Sequence, residues 1–375
     1  MNQTITMNSL ERFEKAFDAD SGHAVAMHAA TENGVLKASR NAACNTVKLP
    51  AFSIELETGK VCDQKHSGRC WMFASLNVMR LDLMKKWKLE NVELSQAYPF
   101  FYDKLERSNH FLENILETLD EETGSRVLSH LLSDPMGDGG QWDMFRCLVD
   151  KYGVVPQDVM PDTASCRNST EMNRALTRKL REYACTLRGM AGKKRDMKAL
   201  RAEKERMLET IYRMLVICLG KPPKTFSWSV RDKDKKRRSV ENITPQEFFR
   251  KYIGWKLDEY VTVIHAPTAD KPYGKTYTVQ YLGNVRDGKY PVKYLNLPMD
   301  ELKKLTIAQL KDGRAVWFGS DVGKYGEREK GIWDDKSFKT EAMTGFDLGL
   351  SKAEALDYWF AAMNHAMVIT GVNLV

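Results

Sequence analysis

The stretch CWMFASLNVMRLDLMKKW, residues 70–87, sets the first limit on what this chain can fold into. Two apolar stripes run along it at helical spacing, one through Trp71, Ala74, Val78 and Leu81, the other through Met72, Leu76, Met79 and Leu83. A helix with one stripe rests on the surface of a core, whereas a helix with two must lie between other elements. The segment therefore predicts a central helix covered on most of its sides. With 375 residues, 43% of them hydrophobic and 29% charged, the chain can supply that cover from two or three structural units.

Gly68 interrupts the pattern just before this helix, so Cys70 falls in its first turn. The thiolate is the nucleophilic form of cysteine, and the partial positive charge of a helix N-terminus favours it. A cysteine beside helical apolar residues is most often a core filler. Two other residues weigh against that reading here. Gln64, six positions earlier across a glycine-bearing turn, can offer its amide to an oxyanion alongside the Cys70 backbone N–H. His365 opens the strand-like run HAMVITGV, from which a base can face the helix terminus and form a thiolate–imidazolium pair.

Helical patterns dominate the first part of the chain, as in SQAYPFFYDKLERSNHFLENILETL and QWDMFRCLVDKYG. Strand-like runs come later: YVTVIHAP, KTYTVQYLGNV, RAVWFGSDV and HAMVITGV. Helices first and strands later predict an α+β protein with two lobes. Between them, EMNRALTRKLREYACTLRGM and RDMKALRAEKERMLETIYRMLVICLG read as two amphipathic helices divided at Gly189 and Gly192 and closed by Gly220. Residues 171–240 hold 21 Lys or Arg against 8 Asp or Glu, a balance of +13 inside an overall +7. The run RDKDKKRRSV within them reads as a surface loop. The expected division is an N-terminal segment (1–60), a helical lobe with the nucleophile helix (61–160), a basic helical insertion (161–265) and a β-rich lobe (266–375).

Seven cysteines, an odd number without a CxxC pair, argue against a disulfide framework or a zinc site. There is no GxGxxG fingerprint, and GSDVGK is one residue short of a phosphate-binding loop, so neither a metal nor an organic cofactor is expected. The N-terminus meets charge before any apolar run, which predicts no signal peptide. The uncharged stretch from Tyr358 to Val375 contains Asn364, His365, Thr370 and Asn373, and reads as a buried strand, not a membrane span. A cytoplasmic protein is expected.

QKHSGRCWMFA resembles the active-site segment of papain-like cysteine peptidases, and more closely the branch that comprises bleomycin hydrolase and bacterial aminopeptidase C. NHAMVITGV is similar to the segment carrying that family's histidine. The resemblance continues through LSQAYPFFYDKLERSNHFLENI, DGGQWDMFRCLVDKYGVVP and KPYGKTYTVQYLGNV, and so spans most of the chain. It implies the papain-like two-lobed fold with a helical, hook-like insertion. It also implies a cysteine aminopeptidase with Cys70 as nucleophile, His365 as base, Gln64 as oxyanion-hole amide and Trp71 behind the nucleophile. Gly139 and Gly140, with Trp71, are the implied substrate-binding residues, and a missing Cβ has a physical use there because it lets an extended peptide approach the backbone. Asp138, beside them, reads as an N-terminal cap for the helix that begins near Gln141. Secreted members of the wider family carry a disulfide cysteine three residues before the nucleophile, where this chain has Ser67, as suits a reducing compartment.

The implied partners are peptide substrates and five further copies of the chain, joined through the insertion. Some members also bind nucleic acid, and the +13 segment reads either as such an electrostatic footprint or as a solvated helical face with assembly contacts. The family's catalytic asparagine lies well after the histidine, whereas this chain stops at Val375, ten residues past His365 and inside an apolar run. The stop implies a truncated product or fragment that also lacks the C-terminal arm restricting the family to N-terminal residues. Endopeptidase-like cleavage would follow, or a defective homologue serving as assembly subunit or nucleic-acid binder.

Overall fold

The computed structural model describes residues 4–44, 51–193 and 195–374. Two compact units divide it, one formed by the described parts of Met1–Ala51 with Ser320–Asn364, the other by Phe52–Gly319 with the described part of His365–Val375. The first unit begins with α1 (Met7–Asp18), α2 (Ser21–Asn33) and α3 (Val35–Ala38). Thr6 and Asp20 cap the first two of these, their side-chain oxygens accepting the N–H groups of Ser9 and Gly22 at 3.2 and 2.8 Å.

The second unit opens with β1 (Ile54–Glu55) and the helix α4 (Cys70–Trp87). As the double stripe predicts, α4 is buried along most of its length: Trp71, Met72, Leu76, Met79 and Leu83 lie in the core, and only Asp82, Lys85 and Lys86 toward its C-terminus are exposed. Around it come α5 (Ala97–Glu117), α6 (Arg126–Ser133), α7 (Trp142–Tyr152) and the short α8 (Ala164–Arg167). The buried face of α5 carries Phe100, Phe101, Phe111, Leu112 and Ile115, and packs against α7 and the insertion helices α9 (Thr170–Lys193) and α10 (Met197–Leu219).

Three local expectations are corrected in this region. The first insertion helix runs through both Gly189 and Gly192, because a glycine costs a helix only about 1 kcal/mol and a 24-residue helix absorbs it. The second helix starts after Asp196, whose carboxylate accepts the N–H groups of Lys198 and Ala199 at 3.0 and 3.2 Å. The run RDKDKKRRSV is no loop: it turns the hairpin of β2 (Phe226–Arg231) and β3 (Arg237–Ile243), which pair antiparallel. Alternation explains this, since Trp228 and Val240 share the buried face, and Asp232 closes the turn by accepting the Lys236 N–H at 2.8 Å.

After α11 (Pro245–Phe248) the strands are short: β4 (Val263–Ile264), β5 (Thr276–Tyr277) and β6 (Tyr294–Asn296) form one sheet in the order β4-β6-β5. A helix not expected from the strand-like runs around it, α12 (Met299–Lys311), follows that sheet and precedes β7 (Val316–Ser320). Within the first unit again lie α13 (Thr340–Thr344) and α14 (Lys352–Asp357), the latter started by a reciprocal Ser351–Glu354 capping box. The chain ends in β8 (His365–Ile369) and β9 (Gly371–Val372), which pair with β7 and β1 respectively. The stretch read as one buried strand from Tyr358 thus becomes strand only at His365. Tyr358, Trp359 and Phe360 are exposed, and Trp359 takes a positive φ of 61° that turns the chain.

Candidate active site

The turn before α4 is locked from inside. Gln64 and Ser67 clasp each other: the Gln64 amide donates to the Ser67 carbonyl at 2.8 Å, and the Ser67 hydroxyl donates to the Gln64 carbonyl at 2.7 Å. Lys65 between them takes a positive φ of 55° to close the loop. The clasp uses one N–H of the Gln64 amide and leaves the other for a further acceptor. Arg69, fully buried, donates to the same Ser67 hydroxyl at 2.9 Å and makes two parallel bonds to Asp162, each 2.8 Å. Its guanidinium also lies over the Phe73 and Phe100 rings.

Cys70 follows as the first residue of α4 and is half-buried. The Arg69 carbonyl already takes the N–H groups of Met72 and Phe73, at 2.9 and 3.0 Å. The N–H of Cys70 therefore has no partner within the helix, and among the described residues no acceptor is paired with it. His365 is half-buried at the start of β8, and β8 packs against α4 within the same compact unit. The neighbouring β7 adds a direct tie, since the Trp317 indole donates to the Trp71 carbonyl at 3.2 Å.

Gly139 and Gly140 have different surroundings. A Cβ on Gly140 would meet the Trp71 ring at 2.5 Å, so this glycine exists to lie flat on the indole; a Cβ on Gly139 would meet nothing within 4 Å. Trp71 itself is fully buried, and its indole N–H donates to the Asp138 carbonyl at 2.7 Å. Asp138 is not the cap expected of it. Gln141 holds the N-cap position of α7, without a side-chain bond, and the Asp138 carboxylate turns inward instead. It accepts from the Lys104 ammonium at 2.6 Å, the Asn173 amide at 2.6 Å, the Gly68 N–H at 2.9 Å and the Ser169 hydroxyl. Burial alone would raise this carboxyl, but the Lys104 charge and the bonds from Lys104, Ser169 and Gly68 outweigh it and hold it well below the ordinary carboxylate range. Burial leaves the Lys104 ammonium below the usual lysine value, with the Asp138 carboxylate opposing the shift.

The Peptidase C1-like family profile matches residues 4–375. The chain belongs to that family. Aminopeptidase C from Lactobacillus delbrueckii subsp. lactis is 45% identical to it over 375 residues, covering 100% of this chain and 83% of the relative. Aminopeptidase C from Streptococcus thermophilus is 47% identical over 371 residues, covering 99% and 83%. The crystal structure of PepW from Lactobacillus rhamnosis superimposes with a TM-score of 0.98 at 46% identity, across 100% of this chain and 84% of that one. The α+β, papain-like fold expected of the chain is thus its fold.

Four residues that no sequence motif marks brace this turn and strip: Lys104, the Asp138 carboxylate, Asp162, and Arg107, whose guanidinium donates to the Gly139 carbonyl at 2.8 Å. Lys104 did leave a signal. It falls four residues after Phe100 and seven before Phe111, on the apolar face of α5, where a lysine needs a buried partner. Asp162 left none, because nothing local distinguishes it from a solvated aspartate.

All seven cysteines are free thiols. Burial pushes the Cys62 thiol up to about 11, against the nearby Arg80 charge, and raises Cys147 and Cys166 as well. Among the described residues no group of three or more His, Cys, Asp or Glu is placed to hold a metal ion, and no helix is long and apolar enough to cross a membrane.

Proposed function

We propose that Cys70, His365 and Gln64 carry out the cysteine-type aminopeptidase reaction of this chain. One observation carries the assignment: Cys70 stands at the open end of a buried helix with its own N–H unclaimed, Gln64 is clasped in the turn before it, and β8, opened by His365, packs on the same helix. The aminopeptidase C relatives at 45% and 47% identity support the activity.

In the reaction the Cys70 thiolate attacks the carbonyl carbon of the substrate's first residue, forming a thioester as the C–N bond to the second residue breaks. The remaining Gln64 amide N–H and the Cys70 N–H receive the oxyanion. The His365 imidazolium gives its proton to the leaving amine, then draws a proton from water as that water hydrolyses the thioester. Gly139 and Gly140 form the wall along which the substrate main chain lies, and Trp71 acts on that wall indirectly, by seating Gly140.

Aminoacyl fluorogenic amides test this reading. Hydrolysis disappears in Cys70→Ala, and Gln64→Ala lowers kcat by roughly 100-fold or more with a smaller change in KM. Turnover persisting in Cys70→Ala at the parent's rate would remove Cys70 from the chemistry.

We also place the chain in the cytoplasm, a reading its seven unpaired thiols support. Residues 161–265 serve as the assembly insertion of a homohexamer, for which the exposed Tyr212 and Ile217 on α10 offer apolar contact. The division into 1–60, 61–160, 161–265 and 266–375 follows the same reading. Nucleic-acid binding has less support, since Arg174, Lys179, Arg201 and Arg206 are already paired with Glu171, Glu182, Glu113 and Glu203.

A further inference from the structure

Two cations one turn apart on α5 hold four consecutive residues of the glycine-bearing strip. The Lys104 ammonium donates to the Met136 carbonyl at 3.3 Å, the Gly137 carbonyl at 3.1 Å and the Asp138 carboxylate at 2.6 Å. The Arg107 guanidinium donates to the Gly139 carbonyl at 2.8 Å. The strip is in turn tied to the nucleophile turn in three ways: the Asp138 carboxylate takes the Gly68 N–H, the Asp138 carbonyl takes the Trp71 indole, and Gly140 lies on the Trp71 ring. Gly68 fits this closeness, since a Cβ there would sit 2.6 Å from the Asp138 Cβ.

We infer that Lys104, Arg107 and Asp138 are positioning residues of this site: they join the strip Met136–Gly140 to the turn Gly68–Cys70 and so set where a substrate main chain lies relative to the Cys70 sulfur. The inference rests on the function proposed above. Arg107 occupies the Gly139 carbonyl, so the main-chain groups of the two glycines left for a peptide are the Gly139 N–H and the N–H and carbonyl of Gly140, none of them bonded among the described residues. Apolar side chains of like volume commonly replace a buried ion pair with no loss of stability. A lysine with a fully buried side chain, paired to a carboxylate behind the nucleophile, therefore has its use in geometry. A small displacement between wall and nucleophile is costly, because rate depends steeply on the approach of reacting atoms.

The experiment compares Arg107→Met, Arg107→Lys and Asp138→Asn with the parent in kcat and KM for aminoacyl amides, in the rate of Cys70 alkylation by iodoacetamide, and in melting temperature. Arg107→Met releases the wall and also leaves the buried Asp103 carboxylate without its arginine, a loss the melting temperature reads; the turn keeps its Asp138 bonds, so KM rises about tenfold while alkylation by the small reagent stays within about twofold. Arg107→Lys, which still reaches the Gly139 carbonyl, recovers most of the KM. Asp138→Asn loosens wall and turn together, lowering kcat and slowing alkylation by about tenfold each. Should it fail to fold, Trp71→Phe, which removes the indole donor to Asp138 and shrinks the ring under Gly140, takes its place. Folded variants with parental KM, kcat and alkylation rates overturn the inference, as does an Arg107→Met defect that Lys does not recover. If the parent hydrolyses no aminoacyl amide, the proposed function fails by itself. Alkylation then decides the positioning role, slower in Asp138→Asn than in Arg107→Met if it holds and equal in all if it does not.

Discussion

Arg69, the residue that precedes Cys70, meets Asp162 through two parallel 2.8 Å hydrogen bonds. The pair joins the nucleophile turn to the segment that leads into the insertion helices, and Arg69 reaches it with a fully buried side chain. Removing one partner leaves the other as an uncompensated buried charge. Arg69→Met is expected to lose about 3 kcal/mol or more of unfolding free energy, measured by urea denaturation. A loss indistinguishable from that of an exposed arginine would show the pair to be ornamental.

The thiols are predicted to separate by reactivity. Cys62, Cys147 and Cys166 carry pKa values raised by burial, Cys62 to about 11, and hold almost no thiolate at neutral pH. Cys185 is exposed but sits inside α9, away from any helix terminus. Mass-spectrometric mapping of brief iodoacetamide labelling should find Cys70 modified first, ahead even of Cys185. Faster labelling of Cys185 would mean that exposure alone governs the chain's thiols.

Neighbouring glycines should behave differently. Gly140→Ala drives a methyl group into the Trp71 ring and is expected to cost about 1–3 kcal/mol. Gly139→Ala meets open space and should stay within about 0.5 kcal/mol of the parent, with any defect confined to peptide turnover. Paired thermal melts and kinetics read both effects, and equal losses at the two positions would contradict the geometry.

Acid should find Asp138. Its carboxyl is depressed in the folded state, so its contribution to stability is complete above the unfolded value of about 3.9 and is lost progressively as pH falls below that toward the folded pKa. Asp138→Asn has no such group. The stability gap between parent and variant, followed by urea midpoints, is expected to narrow as pH drops below about 4. A gap that stays constant there would place the carboxylate's worth elsewhere than in its charge.

Periodicity made the burial of α4 legible, and the Gln141-to-Gly153 limits of α7 could be read from the same kind of signal. Cys70, Gln64 and His365, the residues proposed as nucleophile, oxyanion amide and base, are legible because they sit in two short, recognisable segments. The Asp138 hub was illegible for the opposite reason. Its partners Gly68, Lys104, Ser169 and Asn173 come from separate stretches of the chain, each unremarkable alone, and only the packing of α5 and α9 around the turn brings them together. Strand lengths were overread because apolar β-type residues serve irregular packed segments as well as ladders. The glycines of α9 were overread as breaks because local propensity yields to tertiary packing over a long helix.

The carboxylate of Asp138 gathers groups from residues 68, 104, 169 and 173. Contacts 31 to 70 residues apart each carry a loop-closure cost that only the tertiary fold offsets. Without them the turn before Cys70 keeps its local Gln64–Ser67 clasp and the Arg69–Asp162 pair. The place of the strip beside Cys70 is thus written in the tertiary fold and not in any one stretch of sequence.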